Sequence, residues 1–382
     1  MWACGHLGKR TLINEVFFLG REFAINPDLL RAFPDVARTA LGYQSSFDAA
    51  KISAAVQKIS DFYISRPSGK TPYELPGAPA AYLLYYTLLN HVRCLGVFRE
   101  AQNLGFFANL DRVIDWGSGM GAAWLALRDV APGSLCRSLA IDRSPRALEI
   151  QMALRRAFVP GDDAGCHAMA TDDRKIHDFL GSAKAESSKT LAVFSYSLTE
   201  IETLPDWVHR CEALAIIEPG TNQDGRRLLG VRDSLIQKGY QVWAPCTHQG
   251  PCPLLTQSKT DWCHDRVMWQ QPEFYQDIEK HLPMKHRTLV FSYLLARKTL
   301  APPADLVGAA RLTGDQQRLK GQTRQMVCRS SEREFLSWQH RHGEPPEFLR
   351  GELVEVSGAA QKKGADIRVT SDEIRRFSKK QN

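Results

Sequence analysis

Val113–Leu127 reads VIDWGSGMGAAWLAL: an apolar run, a glycine-rich turn, then the start of an apolar helix. Gly117, Gly119 and Gly121 permit backbone torsions and a close ligand approach that a Cβ would forbid. The N–H groups at the start of the following helix are free to take an anion such as a carboxylate. One unit later, LAIDRSPRALEI puts Asp142 at the end of the next apolar run, where an acid accepts both hydroxyls of a ribose. Asp115 closes the first run and is placed to orient the turn or to meet an amino group. A dinucleotide site shares this architecture, and a tight turn without a ligand is the plainer reading. The DxGxGxG spacing with its acid at the first strand's end favours S-adenosylmethionine (SAM).

Working outward, short apolar runs recur at 113–116, 138–141, 166–170, 191–196, 213–217, 241–244 and 289–295. Helical patterns separate most of them, at 121–130, 145–157, 201–212 and 224–238. Such alternation predicts an α/β fold: a class I SAM-methyltransferase-type, Rossmann-like sheet of seven strands, the last antiparallel. Asp172 follows the third strand and is a candidate adenine contact. Ser195, Tyr196 and Leu198 follow the fourth strand, at the usual acceptor position. Glu218, Pro219 and Gly220 end the fifth, with Glu218 either a wall of the site or a capped strand end. No Asn-Pro-Pro-Tyr-like motif stands there, so transfer to an exocyclic amine loses support and no catalytic residue is assigned.

Upstream, 11–60 reads as amphipathic helix with a break at Pro34, and a Pro/Gly-rich connector leads to a long apolar helix over 80–102. Downstream of Pro302–Pro303 lie β-like runs at 325–328, 353–356 and 367–369, then a basic end. The expected division is an N-terminal helical region over 1–108, a methyltransferase-like domain over 109–300, and a β-rich appendage with a basic tail over 301–382.

The second concentration of chemistry is PCTHQGPCPLLTQSKTDWCH, Pro245–His264, in the loop between the last two expected strands. Cys246, Cys252 and Cys263 are separated by five and ten residues, and Cys328 lies well downstream. Thiolates favour zinc or iron–sulfur clusters. Zinc usually shows close CxxC pairs, which are absent here; wide spacing with a distant fourth cysteine suits a cubane cluster. His248 and His264 keep a mixed Cys/His zinc site open. Cys4, Cys94, Cys136, Cys166 and Cys211 stand singly and read as structural thiols.

Composition bounds the rest. Of 382 residues, 43% are hydrophobic, enough for a sizeable core, and the net charge of +7 suits an anionic partner without identifying one. Nine cysteines, odd in number and unevenly spread, argue against a secreted disulfide framework. No apolar run reaches membrane-spanning length, and MWACGHLGKRTLINEV carries neither a clear secretory core nor an Arg- and Ser-rich presequence. The expected location is the cytoplasm, with the mitochondrial matrix as the alternative.

Four segments carry a family resemblance: VIDWGSGMGAAWLAL, FSYSLTEI, the run LAIIEPGTNQDGRRLLGVRDSLIQKGYQVWAPCTHQGPCPL, and DWCH. Together they resemble the methyltransferase-like family associated with the mitochondrial small ribosomal subunit, which also has bacterial members. The resemblance implies a SAM site at Asp115, Gly117, Gly119, Gly121 and Asp142, and a [4Fe–4S] cluster held by Cys246, Cys252, Cys263 and Cys328. It also implies a factor that binds small-subunit rRNA during assembly. Two positions depart from the family pattern: Asp265 replaces the usual phenylalanine after WCH, and Thr247 replaces the proline after the first cysteine.

The leading expectation is therefore a SAM-binding, iron–sulfur, rRNA-binding assembly factor. The alternative is an active rRNA methyltransferase, and a zinc-binding methyltransferase with another substrate ranks below both. A radical-SAM enzyme is disfavoured, because its cysteines normally sit as CxxxCxxC. Phosphate contacts are expected from Arg318, Lys320, Arg324, Arg329, Lys362, Lys363, Arg375, Arg376, Lys379 and Lys380. No membrane or DNA partner is expected, and the chain is expected to be monomeric off the ribosome.

Overall fold

The computed structural model describes residues 21–377, apart from 43–46, 66–71, 134, 136, 161–164, 170–172, 182–188 and 307. Cys4, Cys136, Asp172, Lys379, Lys380 and the first residues of the expected N-terminal helix lie outside the described residues.

A short strand, β1 (Glu22–Phe23), precedes α1 (Pro27–Leu41) and α2 (Ala49–Ser65). Asn26 caps α1 by accepting the Asp28 N–H, and Gly42 ends it in the left-handed region. The break expected at Pro34 does not occur: Pro34 lies inside α1. A proline costs the helix one N–H, but Leu29, Ala32, Phe33, Val36 and Ala37 are buried along the same stripe and hold the helix through it. Next come α3 (Ala78–Ala81), a π-helical turn over Tyr82–Tyr86 and α4 (Thr87–Leu104), the long apolar helix anticipated from the sequence.

The sheet strands follow: β2 (Arg112–Trp116), β3 (Arg137–Asp142), β4 (Gly165–Met169), β5 (Thr190–Ser195), β6 (Ala213–Pro219), β7 (Gln241–Ala244), β8 (Asp265–Trp269) and β9 (Thr288–Arg297). Between them stand α5 (Ala122–Val130), α6 (Pro145–Phe158), α7 (Asp173–Leu180) and α8 (Asn222–Gln237). The expected helix over 201–212 is replaced by 3₁₀ turns at Leu198–Glu200 and Asp206–Arg210. Pro205 accounts for this, since a proline pushes the preceding residue out of helical torsions.

Strands β4, β3, β2, β5 and β6 run parallel in that order, and β9 packs antiparallel on β6. All seven expected strands are present. The edge beyond β9 differs from expectation. β7 pairs with the last residues of β9 (Gln241 with Arg297), β8 pairs with its first residues (Asp265 with Phe291), and both are antiparallel to it. The two are halves of one interrupted edge strand, and the cysteine loop is the interruption. β1 then adds parallel to β8. Helices α1–α4 and one face of the sheet share a continuous apolar core that includes Phe33, Leu95, Phe98, Leu125 and Phe291.

The appendage comprises β10 (Ala309–Leu312), β11 (Gln317–Leu319), β12 (Gln322–Cys328), β13 (Glu334–Gln339), β14 (Leu353–Val356), β15 (Gln361–Lys363), β16 (Asp366–Arg368) and β17 (Ile374–Arg376). They form a second sheet, ordered β15-β16-β13-β12-β10-β14-β17, with β11 also on β12. Its own core holds Leu312, Val327, Leu336, Trp338, Val354 and Ile367.

Candidate functional site

At the end of β2 the chain makes the glycine turn. Gly117, Gly119 and Gly121 have φ of 66°, 51° and 86°, the left-handed region that L side chains avoid. Space demands glycine as well: a Cβ on Gly117 would sit 2.5 Å from Ser197 Cβ, and one on Gly121 would sit 2.7 Å from Gln151 Cγ. Asp142 accepts the Gly119 N–H through one oxygen and the Ser144 N–H through the other, both at 2.8 Å. It thus ties the end of β3 to the turn, and each oxygen retains a second acceptor site for a ribose hydroxyl.

Asp115 is 3% exposed, and neither carboxylate oxygen has a hydrogen-bond partner. Burial, followed by the nearby Asp142 charge, pushes its pKa up to about 7; Arg155 and the approaching Trp124 N–H act in the other direction. An orphaned buried carboxylate beside a glycine turn needs a donor or a cation from outside the chain. The amino group of SAM's methionine moiety is such a donor, so the residues fit the group.

At the acceptor end, Ser197 Oγ donates to Trp116 O at 2.7 Å, and Ser195 Oγ lies 3.3 Å from Cys94 Sγ. Tyr196 holds φ 57°, unusual for a bulky residue. Glu218 resolves as a cap: one oxygen accepts the Leu198 N–H at 2.9 Å while the other is unpartnered. Burial lifts its pKa to about 8.

The second site is built on the interrupted edge strand. Cys246 and Cys263, which close the two ends of the loop, line one small cavity together with Arg232 and Tyr293. Arg232, on α8, is 1% exposed; its Nε donates to Cys246 Sγ at 3.2 Å, and its NH2 group donates to His248 O and Gly250 O. The downstream cysteine returns: Thr247 Oγ1 donates to Cys328 O at 3.3 Å, and Cys328 Sγ lies 3.6 Å from His248 Nε2. Arg333 and Asp261 pair at 2.7 Å across the same junction.

Burial raises the Cys328 thiol well above its ordinary pKa, and the Cys246, Cys263 and Cys252 charges add to this. Cys263 is raised by burial and then by Cys246 and Cys252; Cys252 is raised by burial and then by Cys246. Four thiols therefore share one electrostatic neighbourhood. His248 and His264 are pushed down to about 4, chiefly by burial, and so are neutral. Among the described residues, however, no three His, Cys, Asp or Glu side chains stand where they would hold a metal ion. The two findings differ in range, since charges act across a pocket whereas a tetrahedral zinc needs sulfurs about 3.8 Å apart.

A third feature was not foreseen. Arg311 of β10 is buried against the body: it pairs with Glu100 of α4, donates to Pro245 O at 2.6 Å, and donates to Gly351 O at 2.8 Å. Tyr293 also donates to Glu100, at 2.7 Å. Beside them Arg21 pairs with Asp265 at 2.5 Å, which accounts for an acid at the position where the family resemblance expects phenylalanine. Burial opposes the Glu100 charge, but Arg311 and Arg21 hold its pKa below the usual value.

Sequence reasoning also missed Tyr73, whose hydroxyl lies 2.9 Å from where a Gly119 Cβ would stand, and Gln151, which accepts from Ser118 Oγ at 3.0 Å. The basic residues expected at phosphates are mostly paired within the appendage: Arg318 with Glu344, Arg324 with Asp366, Arg329 with Glu334, Lys362 with Glu332, Arg375 with Glu355 and Arg376 with Glu352.

A parallel sheet in this order, closed by an antiparallel β9 and carrying a glycine turn after β2, defines a class I methyltransferase-like protein. The family profile described as "Mitochondrial small ribosomal subunit Rsm22" matches residues 98–345. The chain belongs to that family. No curated relative matches it. Among solved structures it is similar to a precorrin-6Y C5,15-methyltransferase from Geobacter metallireducens, at 16% identity over 52% of this chain and 87% of that one, TM-score 0.31. A candidate RNA methyltransferase from Pyrococcus horikoshii shares 11% identity over 66% and 98%, TM-score 0.32. TrmK of M. capricolum, in complex with S-adenosyl-homocysteine, shares 10% identity over 54% and 70%, TM-score 0.29. Likenesses this distant carry nothing about activity.

Proposed function

We propose that this chain is a SAM-binding, iron–sulfur protein that binds small-subunit rRNA and assists assembly of the small ribosomal subunit. The observation that carries the reading is the return of Cys328, from the appendage, to the loop that bears Cys246, Cys252 and Cys263. Four soft donors in one neighbourhood, Cys246 and Cys252 buried and Cys263 and Cys328 half-buried, suit an iron–sulfur cluster. The cluster, when bound, supplies a cross-link between loop and appendage. Arg232 donates to Cys246 Sγ, and the loop carbonyls of His248 and Gly250 are fixed by the same guanidinium.

At the glycine turn, Asp115 meets the amino group, the turn and the start of α5 take the carboxylate, and Asp142 takes the ribose. SAM, when bound, supplies an electrophilic methyl group. The family description favours the mitochondrial matrix over the cytoplasm. Among the described residues, no helix is long and apolar enough to cross a membrane.

Anaerobic purification tests the cluster. The expected protein is brown, with iron and acid-labile sulfide in equal amounts, and Cys252→Ser loses both along with co-sedimentation with small-subunit precursors. Colourless protein carrying stoichiometric zinc would overturn the iron assignment, and an iron-free variant that still co-sediments would separate the cluster from assembly. A second reading, an active rRNA methyltransferase, is favoured by the left-handed Tyr196 at the acceptor end of β5, because backbone strain concentrates at working sites. Methyl incorporation into small-subunit RNA, abolished by Asp115→Ala, would establish it.

A further inference from the structure

The appendage sheet has two unlike faces. Side chains alternate along a strand, and Val327, Leu336 and Ile367 turn into the appendage's core. The intervening positions belong to the other face, and the registers align them. Gln317, Arg324, Ser337, Arg368 and Gln361 form one row across β11, β12, β13, β16 and β15. Leu319, Gln322 and Gln339 flank this row on one side; Met326, Phe335, Asp366 and Lys363 flank it on the other. Continued to Cys328 and its partner Arg311, the same face is the one that meets the body. The docking surface and the outward surface are thus one face; at its centre Ser337 and Phe335 are buried against Gln322, Gln339 and Arg324.

Three properties of the outward part go together. Gln317, Gln361, Lys363 and Arg368 are exposed, and Leu319 at the adjoining turn is 44% exposed. The guanidinium groups of Arg324 and Arg333 lie over the Phe335 ring, 3.6 and 4.8 Å from its centroid, and both are half-buried and ion-paired, Arg324 with Asp366 and Arg333 with Asp261 of the cysteine loop, so these two flat cations are held in place. Lys363 and Arg368 have no ion pair among the described residues, unlike Arg318, Arg329, Lys362, Arg375 and Arg376 elsewhere on the appendage. The uncompensated positive charge of this sheet therefore gathers where the amides are.

We propose that this face is a platform for single-stranded RNA, with Lys363 and Arg368 at phosphates and the glutamine amides at base edges. The inference rests on the RNA-binding reading above and adds the surface that performs it. Glutamine amides offer donor and acceptor side by side, which suits splayed bases, and fixed guanidinium planes accept stacked ones. Five strands at about 4.8 Å spacing give a width of roughly 20 Å, room for a short single strand.

The test measures fluorescence anisotropy of the full chain with a labelled oligouridine of about 12 nucleotides, alongside a duplex RNA of equal length. Lys363→Glu/Arg368→Glu should weaken single-strand binding more than tenfold and reduce the slope of log affinity against log salt by roughly 1.4, or 0.7 per phosphate. Gln317→Ala/Gln361→Ala should weaken it less and leave the salt slope unchanged. Lys58→Glu, at an exposed position of α2 outside the appendage, should bind as wild type. Unchanged affinity in the double charge reversal, or a loss in Lys58→Glu alone, overturns the placement. Equal affinity for the duplex overturns the single-strand assignment. If the charge reversal binds RNA normally yet loses the small subunit, the face serves a protein instead. A wild-type chain that binds no RNA removes the RNA reading itself as well as this surface.

Discussion

Arg311→Met tests whether the body and appendage are held together independently of the thiols. Arg311 is 3% exposed, pairs with Glu100 and donates to two backbone carbonyls, Pro245 O and Gly351 O. Removing one partner of a buried pair typically costs about 3–5 kcal/mol, because the other charge stays behind. Glu100 would keep Tyr293 Oη and the nearby Arg21, so the lower end applies. A loss of about 3 kcal/mol raises the undocked population roughly a hundredfold. Native-state proteolysis of the connection between β9 and β10 reads that population directly. Removing the stranded acid as well should help: Glu100→Gln/Arg311→Met is expected to be less open than Arg311→Met alone. Arg318→Met, at an exposed pair with Glu344, should change nothing measurable. If Arg311→Met cleaves as slowly as wild type, the network does not hold the appendage; if the double variant is the worse of the two, the buried-charge argument fails.

Other expectations follow from the glycine turn. Gly117→Ala forces a Cβ to 2.5 Å from Ser197 at φ 66°, and should cost about 2 kcal/mol or more; Gly105→Ala, at φ 79° with open space, should cost about 1 kcal/mol, and thermal melts separate them. Asp115 titrates near 7 when folded against 3.8 as the ordinary value, so between those pH values the folded chain binds the extra proton and stability falls as pH rises. Asp115→Asn should flatten that fall in pH-dependent denaturation, where the slope from this group is at most about 1.4 kcal/mol per pH unit; an unchanged slope would refute the assignment. S-adenosyl-homocysteine affinity should drop below pH 7, by up to about tenfold per unit, since the ligand's amino group needs the ionised carboxylate. Calorimetry at pH 6 and 8 checks this.

The parallel strands were legible because they are short apolar runs, four of the five carrying a residue with chemistry at or near the end: Asp115, Asp142, Ser195, Glu218. The glycine turn was legible because no other residue satisfies both its torsions and its contacts. Pro34 misled because local propensity yields to a buried stripe, and 201–212 misled because Pro205 interrupts an otherwise helical pattern. β8 was hidden inside what looked like a loop, since DRVMW follows a cysteine-rich stretch and its partner, β9, lies beyond a connection that holds a helix, Glu273–Lys280. The Arg311–Glu100 network could not be read at all: it joins residues 211 apart, and nothing local distinguishes a buried arginine from an exposed one. The ion pairs that occupy the appendage's arginines were invisible for the same reason, so charge counting overstated the surface available for phosphates.

The split edge strand separates what the proposed thiol ligation would stabilise from what it would not. β7 and β8 each pair with β9 through their own backbone, so the sheet closes whatever the loop between them does. The loop's ends are fixed by those pairings, which delivers Cys246 and Cys263 to the wall of one cavity. Cys252 and Cys328 are held less directly, the first by a short helical turn after it and the second by the appendage strand β12. Losing ligation should therefore loosen the loop's middle and the turn after Cys328 while leaving the sheet intact. The Arg311 network, which touches Pro245 at the start of the loop, would keep the appendage near the body. Hydrogen exchange of Cys252→Ser should rise in peptides over 249–260 and 328–333 and stay unchanged in β9. Exchange that rises through β9 as well would mean that the thiols hold the sheet, and that the interrupted strand is not self-sufficient.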